Sequence, residues 1–365
     1  MRIGLVVPGF SADPVDWCIP ALRHLARSLA STNQVRVIAI RYPYRAARYV
    51  IDGAETLALG GAVSRGLATF DLWQTVLRVL RVEHRRQPFD VLHAFWATES
   101  GLLAALAGRL LRVPTLVSLA GGELVALRDI DYGDQRIAWE RLKVAVSLRL
   151  ASGVSAGSRQ LVSLAETRVR RPVHLAPLGV DLDLFRPASR APASGARLLH
   201  VGTLTPVKDQ AMLLRALARV RRAGIPATLE IVGDGPLRPR LQHLTHEAGL
   251  DCSVSFRGEI DHADLPEVYR AADAFVMSSR HEAQCMVALE AAACGLPVVG
   301  TRVGVIPELT KAVSPVGDAE ALGEAVARSL AEPSVLISPT QLRARFGLDA
   351  CANRFRELYT TLSGA

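Results

Sequence analysis

The stretch Ala274-Phe275-Val276-Met277-Ser278-Ser279-Arg280-His281-Glu282-Ala283-Gln284-Cys285-Met286-Val287-Ala288-Leu289-Glu290-Ala291-Ala292-Ala293-Cys294-Gly295-Leu296-Pro297-Val298-Val299-Gly300 decides how this chain folds. A short apolar run ending in two serines reads as a buried strand. The alanine- and leucine-rich run after Met286 is long enough for a helix, Gly295 is placed to end it, and Val298-Val299-Gly300 reads as the next strand. Two strands joined by a helical crossover run parallel. Working outward, the same alternation of β-branched runs and helical patterns predicts five strands in each half of the chain. The fold class that follows is α/β, with two doubly wound, Rossmann-like halves.

Between the halves, Phe185-Arg186-Pro187-Ala188-Ser189-Arg190-Ala191-Pro192-Ala193-Ser194-Gly195 has the proline, glycine and small residues of an exposed linker. The predicted domains are residues 1–187 and 195–340. A final amphipathic helix, about 338–362, is expected to pack back on one of them.

Composition narrows the function. Of 365 residues 50% are apolar and 21% charged, enough for a sizeable core and incompatible with a disordered chain. No run of about 18 apolar residues exists, which argues against a membrane-spanning helix, and the apolar run in Met1–Gly9 is too short for the core of a signal peptide. Five cysteines, none two apart, indicate neither a disulfide framework nor a zinc ribbon, so the expected compartment is the reducing cytosol. His243 and His246 lack the spacing of a metal site and read as helix surface.

The formal net charge is +8, and the excess lies in the first half, with 24 basic against 16 acidic residues through residue 187 and 19 against 19 beyond it. Arg41, Arg45 and Arg48 form one basic segment and Arg78, Arg81, Arg85 and Arg86 another. That half should prefer an anionic partner, such as the inner face of an anionic membrane or a phosphorylated acceptor, or else presents a solvated basic face. Nucleic acid is disfavoured because aromatics are only 5% and interleave with no basic run.

Two segments could carry chemistry. In Val201-Gly202-Thr203-Leu204-Thr205-Pro206-Val207-Lys208-Asp209-Gln210 a strand enters a glycine turn and then a helix. Free backbone N–H groups and a lysine together favour an anion such as a diphosphate, at roughly 1.5–3 kcal/mol per charge-assisted bond. Lys208 is one of only three lysines; taken alone it also reads as a solvated helix-start cation. In the second segment Glu290 lies among Val287, Ala288, Leu289, Ala291 and Ala292 and should be buried at least in part. A buried carboxylate needs donors, which nucleotide ribose hydroxyls or core partners would equally supply. Gly233-Asp234-Gly235-Pro236 is neither a Walker loop nor a dinucleotide fingerprint and reads as a tight turn.

Glu282 and Glu290, followed by Ala-Ala-Ala-Cys-Gly-Leu-Pro-Val-Val, resemble the E-x7-E element of glycosyltransferase family 4, the retaining transferases of GT-B fold. Lys208 matches that family's phosphate-binding lysine. Gly233 and its turn, the base-contacting segment Gly258-Glu259-Ile260, and Gly179-Val180-Asp181-Leu182-Asp183-Leu184-Phe185-Arg186-Pro187 are similar to further family segments. The resemblance implies a nucleotide-sugar donor held by Gly202, Thr203, Lys208, Gly233, Gly258, Glu259, Ile260, Glu282, Ala283, Gln284, Cys285, Met286, Val287 and Glu290. Lys208 would neutralise the leaving diphosphate, Glu282 would bond the donor sugar, and Glu290 would receive the ribose. It further implies an acceptor, a glycan or lipid-linked glycan, on the first half near Gly9, Phe10, Ala120, Gly121 and Glu123. Neither metal nor cofactor is implied.

Three departures from the family pattern stand out. Thr203 replaces an arginine, Ala120 stands where many relatives carry a histidine, and the glycine-rich E-G-F-G turn is Glu282-Ala283-Gln284-Cys285. The D-x-D strings Asp129-Ile130-Asp131 and Asp181-Leu182-Asp183 lack the strand-end setting of a metal-binding pair.

Overall fold

The computed structural model describes residues 1–61, 67–188, 195–333 and 336–364. It forms two compact units, one of residues Met1–Gly179 with Leu348–Ala365 and the other Val180–Gly347. In the first unit the strands are β1 (Arg2–Gly9), β2 (Gln34–Tyr42), β3 (Ala46–Ile51), β4 (Ala54–Leu59), β5 (Val91–Phe95), β6 (Thr115–Leu119), β7 (Gly153–Ala156) and β8 (Val173–Leu175). They make one sheet in the order β3-β4-β2-β1-β5-β6-β7-β8, parallel except at the β3/β4 hairpin. Every side chain of β5 and β6 is buried, as expected of strands covered by helices on both faces.

The second unit carries β9 (Ala196–Val201), β10 (Ala227–Val232), β11 (Val254–Gly258), β12 (Ala274–Met277), β13 (Val298–Thr301) and β14 (Val313–Ser314). Its sheet is wholly parallel, in the order β11-β10-β9-β12-β13-β14. The chain winds outward from β9 through β11 and returns to β12 on the other side of β9. The winding thus reverses direction between β9 and β12, and doubly wound sheets bind ligands at the carboxyl ends of the strands at such a reversal.

The structure shifts two of the expected boundaries. The unit boundary falls at Gly179/Val180, before the predicted 187, because Val180 and Phe185 are buried in the second unit's core with Tyr269, Leu342 and Phe346. Most of the predicted linker, residues 189–194, lies outside the described residues. The single helix expected over 338–362 is two, Pro339–Phe346 and Leu348–Ser363, separated at Gly347. Only the second belongs to the first unit, where it buries Ala352, Phe355 and Tyr359 in the core. The hairpin β3/β4 and the short strands β7 and β14 come in addition to the predicted ten.

A buried polar chain ties that last helix to the sheet. His93 of β5 bonds Tyr359 Oη through Nδ1 at 2.7 Å and Ser118 Oγ through Nε2 at 2.7 Å, and Ser118 Oγ meets Ser155 Oγ at 2.6 Å. Burial pushes the His93 imidazole down to about 3, so it is neutral and each ring nitrogen is satisfied by a hydroxyl.

In the second unit, helix Met286–Ala293 starts from Cys285, whose backbone is left-handed (φ 77°, ψ 71°) although it is not glycine, and whose side chain is buried. This conformation costs an L-residue about 1–2 kcal/mol. The opposing loop holds it in place: Val305 N donates to Gln284 O at 2.9 Å, and a Cβ on Gly304 would lie 2.5 Å from that carbonyl oxygen.

Two stability predictions follow from these features. Unfolded His93 takes up a proton near its ordinary value of about 6.5, whereas folded His93 stays neutral until about 3. Its contribution is thus complete above pH 6.5 and falls as pH drops towards 3. In urea unfolding, His93→Gln should be less stable than the wild type at pH 7.5, and the gap should narrow by about 2 kcal/mol at pH 5; a constant gap contradicts the buried neutral imidazole. At Cys285, valine should cost about 2 kcal/mol or more and glycine stay within about 1 kcal/mol of the wild type. At Cys351, buried inside helix Leu348–Ser363, the order should reverse. The same order at both positions would count against strain at Cys285.

Candidate active site

The carboxyl ends of β9 and β12 bring the lysine and the first glutamate together. After β9, the turn at Gly202 leads into a single 3-10 turn, Pro206–Lys208, and then helix Gln210–Arg222, capped by the Asp209 carboxylate on Met212 N at 3.2 Å. After β12, Ser278 Oγ donates to Lys208 O at 2.7 Å and Arg280 N donates to Val207 O at 2.7 Å, fastening one loop to the other. Lys208 Nζ then lies 2.5 Å from Glu282 Oε1, which also accepts from Ser279 Oγ at 2.7 Å. The two side chains are 19% and 12% exposed, so solvent screens the pair only weakly.

Beneath this pair lies a buried polar floor. His200 Nδ1 bonds Val276 O at 3.0 Å and its Nε2 faces Gln210 Nε2 at 3.3 Å, while Gln210 Nε2 donates to Thr203 O at 3.0 Å. Burial pushes His200 down to about 4, so the ring accepts from the amide and adds no charge beneath Lys208.

Glycines let the neighbouring strand ends close up. A Cβ on Gly233 (φ 122°) would lie 2.3 Å from Gly202 O, and Gly233 N donates to Gly258 O at 2.7 Å. Gly202, Gly233 and Gly258 therefore stand side by side at the ends of β9, β10 and β11. Arg238 braces this row, donating to Asp234 Oδ2 at 2.9 Å and to Phe256 O at 3.1 Å. Glu259 is exposed and Ile260 half-buried just beyond it.

Glu290 is buried as expected, and its oxygens have protein partners: Tyr269 Oη donates to Oε2 at 2.8 Å, and His262 Nε2 lies 3.4 Å from Oε1. Burial, and then the adjacent Glu290 charge, push the Tyr269 hydroxyl well up, which keeps it a donor. The Cys285 thiol at the start of helix Met286–Ala293 is pushed up, chiefly by burial. Of the neighbouring candidates, Gln284 and Cys285 are buried and can offer a ligand only their backbone, whereas Ala283, Met286 and Val287 are half-buried. Thr203 is exposed.

The acceptor-side expectations need correction. Phe10 is 2% exposed and packs into the first unit's core, so its side chain faces no ligand. Gly9 fits against Tyr42, 3.0 Å from where a Cβ would stand. Glu123 is fully buried, accepting from Ala97 N at 3.3 Å, Ala120 N at 3.1 Å and Gly121 N at 2.7 Å. Burial pushes this carboxyl up against those bonds. It is a strut joining the loops after β5 and β6, and Ala120 and Gly121 serve it through their backbones. The basic runs are also partly consumed: Arg41 grips Glu99 at 2.7 and 2.8 Å, and Arg48 and Arg86 meet Glu83 at 2.9 and 3.3 Å. The two D-x-D strings hold other partners, Asp181 accepting from Asp183 N and Leu184 N at 3.1 Å and Asp131 pairing with Arg136 at 2.5 Å.

Sequence reasoning missed His262, Tyr269, Ser279, His200 and Arg238. Ser279 lies within the segment the motif marks and His262 two residues beyond Gly258-Glu259-Ile260, but a tyrosine in an apolar helix and a histidine in a strand carry no signal that separates them from core.

Residues 195–332 match the family described as "Glycosyl transferases group 1", and residues 19–181 match the "Glycosyl transferase 4-like domain". The chain is 34% identical over 285 residues to a D-inositol 3-phosphate glycosyltransferase of Saccharomonospora viridis, covering 70% of this chain and 66% of that protein. It is 32% identical to the protein of the same name from Thermobispora bispora, covering 77% and 73%. Against the Acidothermus cellulolyticus relative the match spans 55% of that protein's length. Among solved structures, sucrose-phosphate synthase from Thermosynechococcus elongatus superposes with a TM-score of 0.78 at 25% identity, covering 100% and 99% of the two chains. Anabaena HepE in complex with UDP superposes at 0.74 and 20% identity over 99% and 100%, which speaks for the fold alone. With both of its halves matched, the chain belongs to the group 1 glycosyltransferases, family 4, of GT-B fold.

Proposed function

We propose that the protein transfers a sugar from a UDP- or GDP-sugar to an acceptor, retaining the anomeric configuration and needing no metal ion. The observation that carries this reading is the Lys208–Glu282 pair at the junction of β9 and β12, beside the glycine row. Breaking a glycosyl phosphate bond leaves a diphosphate whose charge grows in the transition state, and a fixed cation in a poorly solvated place stabilises it most. The Lys208 ammonium has three N–H donors, and Glu282 occupies one of them, which fixes the others in direction. Glu282 in turn is placed to accept from a hydroxyl of the donor sugar. Glu290, steadied by Tyr269, is placed to accept from the ribose hydroxyls, with His262 giving way. Retention is assigned to attack from the face of the departing phosphate, which takes the acceptor's proton.

The acceptor we propose is a glycan, lipid-linked or part of a polysaccharide. The relatives are named for D-inositol 3-phosphate as acceptor, so a phosphorylated polyol is the competing choice. The basic excess of the first half supports an acceptor at an anionic membrane face. Among the described residues no helix is long and apolar enough to cross a membrane.

Calorimetric titration tests the site. Lys208→Ala should weaken binding of UDP or GDP by about 10- to 150-fold, equivalent to 1.5–3 kcal/mol, and leave the matching nucleoside within about twofold. Glu290→Ala should weaken both. Equal losses for the lysine change on both ligands would remove its phosphate role. Product analysis tests the reaction, since nucleoside diphosphate release that depends on an acceptor marks transfer and release without one marks hydrolysis.

A further inference from the structure

A cavity of about 910 Å3 in the first unit lies between helix Ala138–Leu150 and the segment that follows helix Arg159–Glu166. Arg141, Arg149, Arg168, Arg170 and Arg171 line it, and no carboxylate does. Several arginines elsewhere in this unit pair with acids, as Arg41, Arg48 and Arg86 do. None of these five forms an ion pair among the described residues. Their hydrogen-bond partners are neutral: Arg171 donates to the carbonyls of Ala151, Ser152 and Arg149, and Arg168 Nη1 donates to Gln135 Oε1 at 3.1 Å. Arg171 is therefore held in place by backbone oxygens that leave its charge uncompensated.

Five like charges around one cavity repel one another, and a chain that only needed solubility would space them among carboxylates. Guanidinium groups present paired N–H donors that match the oxygens of a phosphate. The floor is apolar, made by Leu124, Val144, Ala145, Leu148 and Val169. Leu142, on the same helix, is 51% exposed.

We propose that this cavity is a second anion site, distinct from Lys208, which binds a phosphate-bearing ligand with an apolar portion against the floor. The phosphate chemistry is common to a lipid headgroup and to a soluble phosphorylated compound. The site does not rest on the transferase reading, since none of its residues belongs to the donor constellation.

The test compares the full-length wild type with Arg149→Ser/Arg168→Ser/Arg170→Ser, three exposed positions whose loss should spare the fold. A control, Arg215→Ser/Arg240→Ser/Arg328→Ser, removes equal charge from exposed positions on helices Gln210–Arg222, Arg238–Glu247 and Ala319–Ala331 of the second unit. Inorganic pyrophosphate is titrated in a Lys208→Ala background to silence the donor site. Co-sedimentation with vesicles of phosphatidylglycerol and phosphatidylcholine is measured in parallel. The cavity triple should weaken at least one of these by about tenfold or more, while the control stays within about twofold. Loss confined to pyrophosphate assigns a soluble ligand, loss confined to vesicles a lipid headgroup, and loss of both a headgroup recognised through its phosphate. Unchanged binding in both assays, or an equal loss in the control, overturns the proposal.

Discussion

Lys208 and Glu282 meet across the junction of two strands that are distant in sequence and adjacent in space. Much of the second unit can be understood as what keeps them 2.5 Å apart. The order β11-β10-β9-β12-β13-β14 sets β9 beside β12, so the loops that leave their carboxyl ends meet. Ser278 on the carbonyl of Lys208, and Ser279 on the carboxylate of Glu282, convert the neighbourhood of two strands into a defined distance between two charges. The neutral His200 below them is part of the same arrangement, because a protonated ring there would oppose the lysine.

The second constraint is backbone proximity. Gly202 and Gly233 touch main chain to main chain, so any side chain on Gly233 would force the ends of β9 and β10 apart. Cys285 shows the opposite solution. There the turn keeps a left-handed residue without glycine, and the surrounding loop at Gly304 and Val305 enforces it. Local strain at the start of helix Met286–Ala293 is thereby exchanged for a fixed direction of the backbone facing Glu282.

Much of this was legible in the sequence, for identifiable reasons. The buried parallel strands announce themselves as short apolar runs, and Glu290 is marked by the alanines around it. The hairpin β3/β4 is not legible, because its alternating exposure places Arg48 at an outward position in what reads as a basic segment. The unit boundary was misplaced because Pro187 and the small residues after it dominate the composition, whereas Val180 and Phe185 decide the packing. Phe10 and Glu123 were assigned to the acceptor by position in a motif, and sequence position carries no information on which way a side chain turns. Tyr269 and His262, which position Glu290, resemble ordinary core and loop residues until coordinates bring them to the carboxylate.

The most direct measurement of the central claim is a crystal structure with a nucleoside diphosphate bound. The account predicts diphosphate oxygens within about 3 Å of Lys208 Nζ and ribose hydroxyls at the Glu290 carboxylate. A diphosphate found away from the β9/β12 junction, with the Lys208–Glu282 pair untouched, would contradict it.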